Sequence, residues 1–323
     1  MSVKTLAAPR SRFSREERDA GVAFLALLAL IVVGPFVAYP FFVMQALCFA
    51  LFACAFNLLI GYVGLLSLGH AMFLGVASYV CAHAAKVWGL DPVVAILAGA
   101  ACSAALGLIA GALSIRSQGI YFAMITVALS QMIYFFCVEA PFTHGEDGIQ
   151  GVRQGHALGL IDLSQPALLY IFVAAVFLFG FLTVYRAVNS PFGEILKAIR
   201  ENEPRAISLG YRVQRYKLAA FVLSAALAGL AGATKAIVGQ NASLTDVGFA
   251  MSGEVVLMTL LGGMGTLYGP VVGAIVVVSM QNYLAQYGQW VTVIQGAVFV
   301  ACVLMFRRGI VGEIANALKW TSL

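Results

Sequence analysis

The chain has 323 residues, of which 62% are hydrophobic and only 10% are charged. Soluble domains are about 45–50% apolar and about 25% charged, so this composition excludes a water-soluble enzyme, a disordered chain and a nucleic-acid-binding domain. It predicts an all-α, polytopic bundle with about ten transmembrane segments of about 20 residues each. The formal net charge of +5 is typical of cytoplasmic loops in a membrane protein and does not by itself indicate a polyanionic ligand.

The chain begins with a polar, basic segment, residues 1–19, which we expect to lie in the cytoplasm. The apolar run that follows, residues 20–39, is too long for the core of a signal peptide and is expected to remain as the first span. A transmembrane domain is predicted over residues 20–306, followed by a cytoplasmic tail over residues 307–323.

Further apolar runs predict the other spans, and the eighth is short enough to be a broken or re-entrant helix. The predicted spans are 20–39, 41–60, 67–85, 92–114, 119–139, 166–186, 217–238, 252–264, 267–286 and 290–306. With both termini inside, every basic residue except Lys86, Arg153 and Lys235 falls on the cytoplasmic side. This asymmetry follows the positive-inside rule. It leaves the hydrophilic loop 140–165 outside and the hydrophilic segment 187–216 inside.

The inner segment predicts two short helices. Ser190 and Pro191 suit an N-cap and a first helical turn, so a helix is expected over residues 191–201. Pro204 begins a second short helix, and Gly210 suits the left-handed position that ends it. Such an amphipathic pair either lies on anionic lipid or forms a docking element for a soluble partner. The compact apolar patch ended by glycine favours docking.

Two glycine-rich clusters, residues 57–75 and 262–273, interrupt the apolar sequence. Glycine weakens a helix by about 1 kcal/mol, so these clusters indicate close backbone approach or interrupted helices. Interrupted segments often mark transport pathways in membranes. The stripe of Ser103, Gly107 and Gly111 is more typical of tight helix packing. His70 and Glu254 are the ionisable residues deepest in apolar sequence, and each is either a pathway group or a satisfied buried residue.

Catalytic motifs are absent from the sequence. It has no GxxxxGK[ST], HExxH or GxSxG pattern, so we expect no catalytic, cofactor-binding or metal-binding residues in this chain. Six cysteines fall in apolar stretches without a CxxC pair and are expected to be small core residues.

Five stretches, taken together, resemble the permeases of branched-chain amino acid ABC importers. They are 61–73 (GYVGLLSLGHAMF), 119–126 (GIYFAMIT), 145–151 (GEDGIQG), 198–203 (AIRENE) continuing through Leu209 and Gly210, and 260–270 (LLGGMGTLYGP). The resemblance covers nearly the whole chain after the first span. The long inner and outer loops are similar to the LivM-type rather than the LivH-type subunit.

The resemblance implies a multi-pass subunit of the bacterial inner membrane. Its implied partners are a second, LivH-type permease, two cytoplasmic ATPase subunits that bind ATP and Mg, and a periplasmic substrate-binding protein. Branched-chain or related amino acids are the implied cargo, while similar family branches import urea or small aromatic and carboxylic acids. The implied ATPase-coupling residues are Glu203, Arg205, Ala206, Leu209 and Gly210.

The outer loop departs from the family pattern, since Thr143, His144 and Gly145 stand where Thr-Gly-Gly is common. Glu146 and Asp147, which follow, are the expected contacts with the binding protein.

We expect an alternating-access mechanism in which the broken helices form gates or cavity walls. The expected pathway or gate residues are Asn57, Gly61, Gly64, Ser67, His70, Gly262 and Gly265. The alternative class is a stand-alone secondary carrier or channel, which usually has paired acidic residues or a histidine relay within its spans. An integral-membrane enzyme is a more distant alternative, because no cluster of histidine or acidic residues is predicted at the membrane face.

Overall fold

The computed structural model describes residues 10–157, 159, 161–288, 290–305 and 309–317. Within these ranges the chain forms helices joined by short connections, with four two-residue strands. The α-helices are α1 Arg10–Val37, α2 Pro40–Asn57, α3 Ala71–Lys86, α4 Pro92–Ser114, α5 Ile120–Glu139, α6 Pro166–Val188, α7 Pro191–Glu201, α8 Glu203–Ser208, α9 Val213–Gly239, α10 Phe249–Gly262, α11 Gly269–Leu284, α12 Trp290–Met305 and α13 Gly309–Ala317. The strands are β1 Ile149–Gln150, β2 His156–Ala157, β3 Ile161–Asp162 and β4 Asn241–Ala242.

The predicted polytopic helical bundle is confirmed. Five helical segments are long and apolar enough to cross a membrane: Pro40–Val63, Pro92–Ser114, Ile120–Glu139, Pro166–Val188 and Val213–Gly239. Shorter apolar helices are Phe24–Phe36, Phe249–Gly262, Gly269–Leu284 and Val293–Cys302. Helix α10 has 14 residues and is about 21 Å long, which is shorter than the hydrocarbon core of about 30 Å.

Parts of the two terminal segments, predicted as residues 1–19 and 307–323, are helical. Helix α1 already begins at Arg10, inside the predicted segment 1–19, whose first nine residues lie outside the described part. In the predicted tail 307–323, residues 309–317 form α13, which packs against α10 and α11. The remaining residues of that tail lie outside the described part.

Helix α9 lies at the centre of the bundle and packs against α2, α3 and α4. Small residues allow α9 and α4 to approach each other closely. A Cβ atom on Gly107 of α4 would lie 2.4 Å from the Ala225 Cβ, and the Ser103 hydroxyl donates to the Ala225 carbonyl at 2.8 Å. The predicted packing role of this stripe is therefore confirmed.

Gly232→Ala is expected to destabilise the fold by about 1–3 kcal/mol, the usual cost of overpacking. The new Cβ would lie 2.0 Å from the Leu74 carbonyl oxygen, so α9 and α3 would have to separate. Gly253→Ala in α10 is the matched control, because nothing lies within 4 Å of its Cβ position. Both changes bring the same gain in helix propensity. Thermal unfolding in detergent should separate the variants, and equal midpoints would contradict the packing described here.

The bundle has two distinct ends. At one end, β1 pairs antiparallel with β4, with Ile149 opposite Ala242, and the Lys86 ammonium donates to the Gln150 carbonyl at 2.7 Å. Helices α7 and α8 lie at the other end, which we call the α7 end. The loop 140–165 and the connection after α9 therefore share one end, as the predicted order of spans requires.

Helices α7 and α8 and the turn that follows them, residues 191–211, are called the elbow. Ser190 and Pro191 occupy the N-cap and the first helical position of α7 as predicted, but the Ser190 hydroxyl donates backwards to the Ala187 carbonyl at 2.7 Å instead of capping an N–H group of α7. Asn202 caps α8 by accepting from the Arg205 backbone N–H at 3.0 Å. Gly210 follows α8 with a φ of +88°, as predicted.

Candidate functional site

The first glycine cluster interrupts a membrane segment, as predicted. Helix α2 continues as a π-helical turn, Leu58–Val63, and stops at Gly64, whose φ is +80°. Non-helical backbone then leads to Ala71, where α3 begins. We call residues 58–70 the first interruption. π-Helical turns occur frequently at functional sites.

The second cluster interrupts the chain between α10 and α11. Gly263 and Gly265 have φ values of 122° and 76°. Such positive φ values favour glycine, because glycine has no Cβ atom to clash with the backbone. A Cβ on Gly262 would lie 1.9 Å from the Gly269 carbonyl oxygen, so the two helix ends touch backbone to backbone. We call residues 263–268 the second interruption.

Asn57 joins the two interruptions. Its side-chain amide donates to the Thr266 carbonyl at 2.8 Å, and its side-chain oxygen accepts from the Gly265 N–H at 3.0 Å. The residue is 1% exposed. A Cβ on Gly61 would lie 2.8 Å from the Gly265 nitrogen, so only glycine permits this approach. The two glycine clusters, far apart in sequence, therefore form one junction.

Arg200 connects this junction to the elbow. Its guanidinium donates to the Gly61 carbonyl, and its Nη1 lies 3.3 Å from the Cβ position of Gly265. Its Cγ lies 3.2 Å from the Cβ position of Gly64. Arg200 and Thr266 lie within the motif stretches 198–203 and 260–270, but neither was among the expected site residues. The signal that could have identified them is that each is a polar residue within one of those stretches.

The rest of the first interruption and the start of α3 are held by hydroxyl groups from two other helices. The Leu68 and Ala71 N–H groups donate to Thr126 Oγ1 of α5 at 3.2 Å and to Ser252 Oγ of α10 at 3.0 Å. Non-helical backbone within a membrane requires such partners. Ser67, a predicted pathway residue, is fully buried in this stretch.

His70 is enclosed rather than open to a cavity. Its ring lies 5.2–5.7 Å from the ring centroids of Phe52, Phe56 and Phe73. Ser224 donates its hydroxyl proton to the Ala55 carbonyl, so its oxygen can accept from His70 Nε2, 3.2 Å away. These contacts favour the alternative of a buried packing residue over a pathway group.

The elbow divides the predicted coupling residues into two sets. Glu203 forms an ion pair with Lys217 at 2.8 Å, and Ala206 is 3% exposed within an apolar cluster containing Ile199 and Val213. These two residues anchor the elbow to α9. The solvent-facing set, called the elbow surface, consists of Arg205, Ile207, Leu209, Gly210 and Tyr211.

Charged groups also lie at the opposite end. Glu146 and Asp147 are exposed in a 3-10 turn that follows His144, a non-glycine residue with a φ of 61°. Lys235 of α9 forms an ion pair with Asp246, which is 1% exposed. Lys235 was expected near the outer side, but its pairing with Asp246 was not predicted. Among the described residues, no group of three or more His, Cys, Asp or Glu side chains could hold a metal ion.

Comparisons with known proteins agree with this architecture. A family model described as the permease component of branched-chain amino acid transport systems matches residues 39–304. The high-affinity branched-chain amino acid transport system permease protein LivM of Salmonella typhimurium is 25% identical over 92% of this chain and 77% of its own length. LivM of Escherichia coli is 25% identical over 91% of this chain and 76% of its own length.

A more distant relative is the ribose import permease protein RbsC of Bacillus subtilis, which is 26% identical over 69% of this chain and 70% of its own length. No solved structure gives a significant match. The family match spans most of the chain, including both interruptions and the elbow. The chain therefore belongs to the family of permease components of branched-chain amino acid transport systems.

Proposed function

We propose that this chain is the LivM-type permease subunit of an ATP-driven importer for branched-chain or related amino acids. One observation carries the proposal: the elbow exposes apolar side chains at its tip while Arg200 reaches the interrupted segments behind it. Ile207 and Leu209 are 57% and 69% exposed, although each could bury apolar area in an interface. The elbow is thus suited to receive a partner and to transmit its movement.

The proposed orientation places the α7 end in the cytoplasm of a bacterial cell. Basic residues support this orientation, since the segment from Arg186 through Lys217, which contains the elbow, carries seven of them. Two ATPase subunits, which bind ATP and Mg, would bind the elbow surfaces of this chain and of a LivH-type permease. A periplasmic binding protein would approach the opposite end near Glu146 and Asp147.

In this mechanism the permease contributes shape and movement, and the binding protein contributes selectivity. ATP binding closes the ATPase pair, the elbow moves as a rigid unit, and the junction between the interruptions opens or closes. A small zwitterion needs few fixed partners on such a route. This agrees with the scarcity of charge within the spans, and the same route would suit the alternative cargoes, urea and small aromatic or carboxylic acids.

The rival class is a stand-alone secondary carrier or channel. Such a carrier needs a titratable relay along its path. His70 lies among aromatic rings, and the Lys235–Asp246 pair lies at the end opposite the elbow. These positions favour the ATP-driven proposal.

Reconstitution in proteoliposomes tests the proposal. The chain, its partner permease, both ATPases and the binding protein should together accumulate radiolabelled leucine against a gradient when ATP is supplied. The chain alone, under a proton or sodium gradient, should accumulate none. Urea and benzoate in parallel assays identify the alternative cargoes, and gradient-driven uptake by the chain alone would overturn the proposal.

A further inference from the structure

Arg200 lies where two helix C-termini converge. Gly61 belongs to the last turn that extends α2, and Gly265 lies three residues beyond the end of α10. Carbonyl groups at a helix C-terminus lack an N–H partner from a following turn, and the helix dipole makes this end partly negative. A guanidinium between two such ends satisfies a carbonyl and complements both dipoles.

The contacts of Arg200 cross three separate parts of the chain. Its guanidinium donates to the Gly61 carbonyl and lies beside Gly265, while its own backbone belongs to α7. Helix α7 is fixed behind it by Leu196 and Ile199, which are 0% and 3% exposed. Movement of α7 therefore changes the position of the guanidinium, and a displacement of a few ångströms suffices to break its hydrogen bond.

We propose that Arg200 is a positioning residue that holds the junction of the two interruptions closed and releases it when the elbow moves. The proposal rests on the proposed function and adds the side chain through which the elbow acts. When the Arg200 guanidinium moves away, the hydrogen bonds of the Asn57 amide still join the two interruptions directly. The junction then opens on the elbow side, where Gly64 is exposed.

A guanidinium suits this role better than an ammonium. Its five N–H donors lie in one plane, so a single side chain can donate to the Gly61 carbonyl and face Gly265 at the same time. A lysine could reach one carbonyl but not engage both sides. Arg200→Lys should therefore behave as a partial variant rather than as wild type.

The experiment compares Arg200→Gln and Arg200→Lys with Lys197→Gln in the complete reconstituted importer. Lys197 lies on the same helix and carries the same charge, but it forms an ion pair with Glu194, within α7. The measured quantities are ATPase binding, ATP hydrolysis without solute, and solute transported per ATP. Export of preloaded solute without ATP reports leakage through the junction.

We expect Arg200→Gln to bind the ATPases normally and to transport about tenfold less solute per ATP, the order expected for loss of a hydrogen bond from a charged group. Leakage should rise, Arg200→Lys should fall between the two, and Lys197→Gln should match wild type. Wild-type coupling in Arg200→Gln would overturn the proposal, as would loss of ATPase binding, which would make Arg200 a docking residue.

If Arg200→Gln fails to insert into the membrane, Arg200→Lys decides. Reduced coupling with intact ATPase binding supports the proposal, and wild-type coupling overturns it. Failure of the proposed function is distinguishable, because the wild-type set itself would then show no ATPase binding or no ATP-driven uptake.

Discussion

Arg205→Glu combined with Leu209→Asp is expected to abolish binding of the ATPase subunits while the permease still folds and inserts. Both residues belong to the elbow surface, and Leu209 is 69% exposed. If a partner covers this surface, two carboxylates must lose their hydration without a designed counter-charge. Interface anchors commonly contribute about 2 kcal/mol or more each, so losing two of them should raise the dissociation constant about 1,000-fold. Co-purification and equilibrium binding of the ATPases measure the change.

The control places the same chemical changes at the opposite end of the bundle. Arg153→Glu with Leu90→Asp also reverses one charge and adds one carboxylate at exposed positions. This variant should bind the ATPases as wild type does. ATPase binding that survives the elbow changes, or that is lost in the control, would contradict the docking assignment.

Asn57→Ala is expected to lower the free energy of unfolding by about 2 kcal/mol or more and to abolish transport. The substitution leaves the half-buried Thr266 carbonyl and Gly265 N–H without their partner, and each lost hydrogen bond costs about 1 kcal/mol or more. The two interruptions would also lose the amide that links them. Unfolding in mixed micelles measures the stability, and uptake in proteoliposomes measures the transport.

Ser114→Ala is the matched control for this prediction. Ser114 is also buried, but its hydroxyl donates to the Ala110 carbonyl within the same helix. Losing that bond leaves the helix ladder in place, so stability and transport should change little. An Asn57→Ala protein as stable and active as Ser114→Ala would show that the junction is not essential.

The membrane segments were predictable because each depends on local composition. Helix α4, Pro92–Ser114, has the predicted bounds, and α5 begins one residue after its predicted start. The interruptions were predictable too, because glycine density lowers helix stability wherever the segment packs. The left-handed conformation of Gly210 was predictable for a similarly local reason, because glycine commonly adopts it directly after a helix end.

Contacts between distant segments were not predictable from one sequence. Asn57 and Thr266 are 209 residues apart, and neither residue carries a local signal that names the other. The pairing of β1 with β4 also joins segments that are far apart in the chain, and each strand has only two residues. Ser190 takes the predicted N-cap position, but the partner of its hydroxyl group, the Ala187 carbonyl of the preceding helix, was not predictable.

The coupling residues show the limit of assigning roles from a motif. The motif groups Glu203 and Ala206 with Arg205 and Leu209 because they are close in sequence. In a short helix, neighbouring residues point in different directions, so two of them face α9 and two face solvent. Their roles in binding an ATPase remain predictions, and the elbow surface now defines which side chains a partner can reach.

Photo-cross-linking in intact membranes tests the central claim that the elbow faces the cytoplasm and receives the ATPase. Tyr211 and Phe142 are 40% and 37% exposed aromatic residues at opposite ends of the bundle. Each is replaced, in separate variants, by the photo-reactive residue benzoylphenylalanine in cells producing the whole importer. We expect the position 211 variant to capture the ATPase and the position 142 variant not to capture it. Capture of the ATPase at position 142, or of the binding protein at position 211, would contradict it.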